Sequence, residues 1–129
     1  MTDIAPAAPP PATLPELSGR MAEELTQLDR ELVEVDLLIA QARTEATRHE
    51  ARRASAGEKL TAATASATSA GTTLDPTVAA DLNTQLVLLT KRAALMESQV
   101  DVLEGKRRAL GRYRDTMAVY AEALEMRSF

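Results

Sequence analysis

Cysteine and tryptophan are absent from this chain, histidine occurs once, and the only aromatic side chains are Tyr113, Tyr120 and Phe129. The lack of cysteine excludes disulfides, thiolate nucleophiles and cysteine-ligated metals. With His49 as the sole histidine, no histidine pair exists to hold a metal. So few aromatic residues in 129 leave little with which to fill a compact globular core, so elongated packing is expected. Glycine is scattered singly, at Gly19, Gly57, Gly71, Gly105 and Gly111, so no glycine-rich phosphate loop is present. No apolar run approaches the roughly 20 residues needed to span a bilayer, and Met1-Thr2-Asp3-Ile4 has neither the basic start nor the apolar core of a signal peptide. A cytoplasmic protein without membrane insertion is the expectation.

The net charge is −4, with both signs interspersed. A phosphate-binding face would need clustered Lys and Arg, so no nucleic-acid partner is expected. The short basic runs Arg52-Arg53 and Lys106-Arg107-Arg108 read as solvated flanks of helices. The abundant residues Ala, Leu, Glu and Arg are strong helix formers, and strand-like runs of Val, Ile and aromatics are missing. The fold class that follows is all-α.

Two ladders of residues at alternating spacings of three and four then define the architecture. The first is Met21, Leu25, Leu28, Leu32, Val35, Ile39, Ala42, Ala46, His49, Arg53, Ala56, Leu60. The second is Leu82, Leu86, Leu89, Ala93, Met96, Val100, Leu103, Arg107, Leu110, Arg114, Met117, Ala121, Leu124. Such seven-residue repeats keep one narrow seam turned toward a partner helix. Folding the chain at Gly71 sets opposite positions whose numbers sum to 142, so that Ala46 meets Met96, Ile39 meets Leu103, Leu32 meets Leu110 and Leu25 meets Met117. Each layer pairs an a with a d position, as antiparallel coiled-coil packing requires. The same rule brings Arg43 near Glu97 and Asp36 near Glu104.

The expected layout is a Pro/Ala-rich disordered leader over 1–13 and a hairpin over 14–127, with a helix at 14–63, a tip at 64–74 and a helix at 75–127. Thr13 with Glu16 has capping-box spacing, Ser18 is an equally good start, and Asp75-Pro76 opens the second helix. The Ala/Thr stretch after Leu60 lacks large apolar knobs, which places the tip there. Each arm would extend about 70 Å.

Outside the ladders, Val33 and Leu37 on the first helix and Leu88, Leu95 and Val102 on the second would stay wet in a lone hairpin. They are the expected contacts of a homodimer, two hairpins forming a four-helix bundle. The interaction seam itself is Leu25, Leu28, Leu32, Val35 and Ile39 with Leu89, Met96, Val100, Leu103, Leu110 and Met117. Arg107 and Arg114 interrupt it at a positions, where a polar residue fixes register at a cost in stability and reaches toward carboxylates such as Glu31, Glu34 or Asp115. With His49 they are the candidate register or switch residues. His49-Glu50 is also how phosphoacceptor sites of sensor kinases begin, but here the pair falls on the seam without the surrounding motif. The paired carboxylates Glu23-Glu24 and Glu122 with Glu125 lie on solvated faces, so no catalytic residue, metal or cofactor is expected.

The stretches Leu28 to Arg53, LDRELVEVDLLIAQARTEATRHEARR, and Leu82 to Leu124, with QLVLLTKRAALMESQVDVLEGKRRALGRYRDTMAVYAEAL at its heart and its RYRD-containing ending, resemble the N-terminal sensor segment of DegS-type cytoplasmic histidine kinases. The resemblance extends over the order of helix, turn and helix. It implies a dimer that changes helix register in response to a signal and passes the change to a histidine kinase module and a response regulator. The family's phosphoacceptor motif and nucleotide-binding boxes are absent from these 129 residues, so none of its functional residues carries over. Two other function classes are open on the sequence: a free-standing coiled-coil adaptor or chaperone that grips clients between its arms, and a phosphotransfer protein using His49.

Overall fold

The computed structural model describes residues 13–127, which form two helices, α1 (Leu14–Ser69) and α2 (Pro76–Arg127), and no strand. The fold is all-α. Apart from Thr13, the expected leader lies outside the described residues. Two compact units divide the chain, one pairing residues 13–33 with 109–127 and the other comprising Glu34–Arg108.

The start of α1 is set by Thr13, whose hydroxyl accepts the Glu16 amide at 3.3 Å while its carbonyl accepts the Leu17 amide at 3.0 Å. Of the candidate starts, this capping geometry selects Thr13 over Ser18. At the other end α1 runs six residues beyond 63. Thr61, Thr64 and Thr68 turn their hydroxyls back onto the carbonyls of Gly57, Leu60 and Thr64, which satisfies them inside the helix, and the intervening alanines favour it. The ladder also persists as small knobs, because Ala63 and Ala67 are half-buried.

A left-handed residue stops the helix. Gly71, at φ 71°, is the one described residue with positive φ. The Gly71 amide donates to the Thr68 carbonyl at 3.0 Å and the Thr72 amide to the Ala67 carbonyl at 2.9 Å, the paired bonds of a Schellman ending. Four residues on, Asp75 caps α2: its carboxylate accepts the Thr77 amide at 2.8 Å and its carbonyl the Ala79 amide at 2.9 Å, with Pro76 in the first turn. The tip is therefore 70–75, shorter than the spacing of large residues predicts.

In the Glu34–Arg108 unit α1 and α2 pack as an antiparallel hairpin, with Val35, Ile39 and Ala93 buried and every other ladder residue of that span half-buried. In the other unit Leu28 is buried and Met21, Leu25, Leu32, Leu110, Met117, Ala121 and Leu124 are half-buried. Burial thus follows the three–four ladder residue by residue. Ala93, 3% exposed, is more enclosed than any leucine of the seam, which marks a close approach of the helices where α1 offers only Ala46 and His49.

Candidate functional site

The chemically distinctive part of the Glu34–Arg108 unit is one flank of its seam. Assigning Ile39 to heptad position a puts Asp36, Arg43 and Glu50 at e on α1, and Glu97 and Glu104 at e on α2. In antiparallel packing e faces e across the seam. Arg43 is bonded to Glu104, and Arg107 reaches from its a position to Asp36, Nε to Oδ1 at 3.2 Å. In the other unit Arg114 makes the equivalent bond to Asp29, another e residue, at 2.9 Å. Arg53, a third arginine on the ladder, turns to Glu50 on its own helix, its Nε 3.0 Å from both carboxylate oxygens.

These partners differ from those expected. Arg43 bonds Glu104 rather than Glu97, which frees Asp36 for Arg107, and the ladder arginines choose Asp36 and Asp29 rather than Glu31, Glu34 or Asp115. Side chains on a helix lean toward its N-terminus. In an antiparallel pair the two leans run in opposite directions in space, so flank residues meet when their numbers sum to more than 142, as 43 with 104 and 36 with 107 do. The seven-residue recurrence of Asp29, Asp36, Arg43 and Glu50 was the available signal.

The charges are tuned accordingly. The hydrogen bond from Arg53 holds the Glu50 carboxyl below its ordinary range, against the opposing effect of desolvation, and the bond to Glu50 raises the Arg53 guanidinium with a lesser push from Glu97. The bond to Asp29 raises Arg114 in the same way, with Asp115 contributing least. All these pairs are solvent-exposed to a third or more on at least one side, so they orient the helices more than they stabilise them.

His49 lies in the seam with its side chain 16% exposed. Its Nε2 is 4.0 Å from Glu45 Oε2, too long for a hydrogen bond, and its Nδ1 is buried without a partner. An unpaired buried polar atom costs about 1–3 kcal/mol. A His49→Leu variant is therefore expected to be more stable by about 1 kcal/mol in urea unfolding; a loss of stability would show that the imidazole makes a bond the seam requires.

The remaining candidates are the exposed aliphatics. Val33 is exposed, as are Leu37, Leu88, Leu95 and Val102. Within the Glu34–Arg108 unit, Leu37 occupies f of α1, turned away from α2, while Leu88, Leu95 and Val102 occupy c of α2 beside its own outward f position. Leu37 and the α2 stripe thus lie on opposite outer faces and do not make one docking surface together. On α2 the c stripe is joined by Val87 and Ala94 at b, and a shallow, mainly apolar groove runs through Ala80, Thr84, Val87 and Leu88.

Among the described residues no cluster of three His, Asp or Glu side chains is arranged to hold a metal, and no helix is long and apolar enough to cross a membrane. The surface depressions are open grooves, one of them lined by the Asp36, Ile39, Arg43, Glu104 and Arg107 side chains just described. Comparison with protein-family models, with curated proteins and with solved structures finds no match to this chain.

Proposed function

We propose that this chain is a non-catalytic coiled-coil module that dimerises and transmits a change in helix register. The observation that carries the reading is the two-sided character of α2, which turns one apolar ladder toward α1 and leaves heptad-spaced Leu88, Leu95 and Val102 exposed on its outside. The arginines at a positions support the transmitting role. They weaken the seam at defined points and hold register through exposed carboxylates that exchange partners at little cost. The resemblance to DegS-type sensor segments names the recipient of the signal, a histidine kinase module acting on a response regulator in the cytoplasm.

Size-exclusion chromatography with light scattering is expected to give a dimer at micromolar concentration, and a strict monomer would remove the reading. Joined to the catalytic core of a histidine kinase, the chain is expected to alter autophosphorylation in a way that Arg107→Leu changes; a rate indifferent to the seam would leave dimerisation without transmission. The adaptor reading has less support, because the Ala/Thr end of the arms, where a client grip would need to give, is helical to Ser69 and closed by backbone bonds. Phosphotransfer is tested by acetyl phosphate: no uptake is expected, and uptake lost in His49→Gln would assign that role instead.

A further inference from the structure

The outward face of α2 between Asp81 and Arg108 is complementary to itself when a second copy runs antiparallel to it, and we propose that this face is where two copies of the chain meet. The proposal deepens the dimerising reading and rests on it. Val87 and Leu88 are each 49% exposed, Leu95 58% and Val102 71%, and Ala94 is exposed beside them. They sit at the b and c positions on either side of an f row made of Thr84, Lys91, Ser98 and Gly105. Three of those four are small enough to let a neighbouring helix approach closely.

In antiparallel packing a c residue of one copy faces a b residue of the other, so the register is fixed by a constant sum of residue numbers, as a and d are in the seam. A sum of 189 sets Leu95 opposite Ala94 and Val102 opposite Val87, each layer occurring twice through the two-fold axis. The same sum sets Arg108 opposite Asp81 and Ser98 opposite Lys91. Leu88 then faces Asp101, and Lys91, one turn along from Leu88, reaches that carboxylate. Asp81, Lys91, Asp101 and Arg108 are all exposed, and none is in an ion pair with another described residue, so four unpaired charges find partners across the axis.

Charge also rejects the neighbouring arrangements. A slip of one heptad to 182 moves Leu95 onto Val87 but brings Asp81 against Asp101 twice. A slip to 196 sets both Leu95 and Leu88 against charged residues, Asp101 and Arg108, where 189 does so for Leu88 alone. A parallel pair in register stacks Asp81, Asp101 and Arg108 each on its own copy. Like charges placed face to face disfavour a wrong pairing more than they affect the right one.

The pairing is tested in the full chain with two single-cysteine variants, Val87→Cys and Val102→Cys, at exposed sites in a protein that has no other thiol. In the antiparallel pair like positions are about 22 Å apart for 15 residues of helix, beyond disulfide reach, whereas 87 and 102 of different copies are opposed. Oxidation of an equal mixture is expected to give at least about tenfold more cross-linked dimer than either variant alone. A cross-link in either variant alone would mean a parallel pair and overturn the proposal. A dimer by light scattering that forms no cross-link in the mixture would place the contact on another face, overturning the proposal while leaving the dimerising reading intact; a monomer would remove both. Leu95→Asp, which puts a carboxylate from each copy beside the axis, is expected to lower the dimer association constant at least about tenfold, the equivalent of some 1.4 kcal/mol; an unchanged constant would overturn the proposal.

Discussion

Ile39→Ala is expected to lower the unfolding free energy of the Glu34–Arg108 hairpin by about 2–4 kcal/mol. Ile39 is one of only three buried side chains in that unit, with Val35 and Ala93, so the hairpin has no large core in which a deletion could be absorbed. Two helices collapse poorly around a missing side chain, because nothing behind the seam can move in to fill it. The control is Leu37→Ala, two residues away and 59% exposed, for which a change within about 0.5 kcal/mol is expected. Chemical unfolding followed by circular dichroism at 222 nm reads both. Equal losses at the two positions would mean that the seam is not where the stability lies, and that the outer face of α1 is covered.

The contrast between those two leucine-sized residues was legible in the sequence, because a seven-residue period over eleven or twelve turns leaves no freedom about which side faces a partner. Every ladder position, down to Arg53 and Ala56, is at least half-buried. The breakpoint was legible too, since only glycine takes a φ of 71° without strain and Gly71 stands where the two ladders mirror. Helix ends are less legible. The threonines from Thr61 to Thr68 weigh against helix by propensity, and their bonds to carbonyls four residues back become visible only in the folded chain.

The charged flank shows a different limit. A mirror rule for backbone positions places apolar knobs correctly because those side chains are short. Arginine and glutamate extend several ångströms along the helix before they end, and their N-terminal lean moved Arg43 one heptad from the carboxylate the rule assigned it. The same lean is what allows Arg107 to leave the seam and find Asp36. The exposed aliphatics stand out in the sequence as a group, and their heptad positions divide them between two faces. A hairpin has two outward faces pointing in opposite directions, and α2 carries most of the apolar surface on its own.

If the pair of chains is antiparallel along α2, the two copies of that helix end in opposite directions. A register change in one seam would then leave each chain through its own α2, rather than through two helices arriving side by side. The dimer would serve to hold the outside of α2 rigid, so that movement is confined to the seam with α1. On the proposed transmitting role, the seam arginines would then be where sensitivity is set.

Arg107→Leu is accordingly expected to raise the melting temperature by about 4–8 °C, and Arg114→Leu to act in the same direction. Each arginine occupies an a position in which leucine would continue the ladder, and each is only partly covered, Arg107 at 42% and Arg114 at 35% side-chain exposure. The aspartates left behind are 55% exposed, so removal of the guanidinium strands no buried charge and water replaces it. What is lost is discrimination. With leucine at 107 the Glu34–Arg108 seam reads Val100, Leu103, Leu without interruption, and pairings displaced by one heptad no longer cost a misplaced arginine. Paired spin labels at exposed positions of α1 and α2 within that unit are expected to show one distance in the parent chain and a broader or second distance in Arg107→Leu. A fall in melting temperature would mean that the Arg107–Asp36 bond clamps the seam; a rise with an unchanged single distance would mean that the apolar layers alone fix register, and the arginine would then have no part in switching.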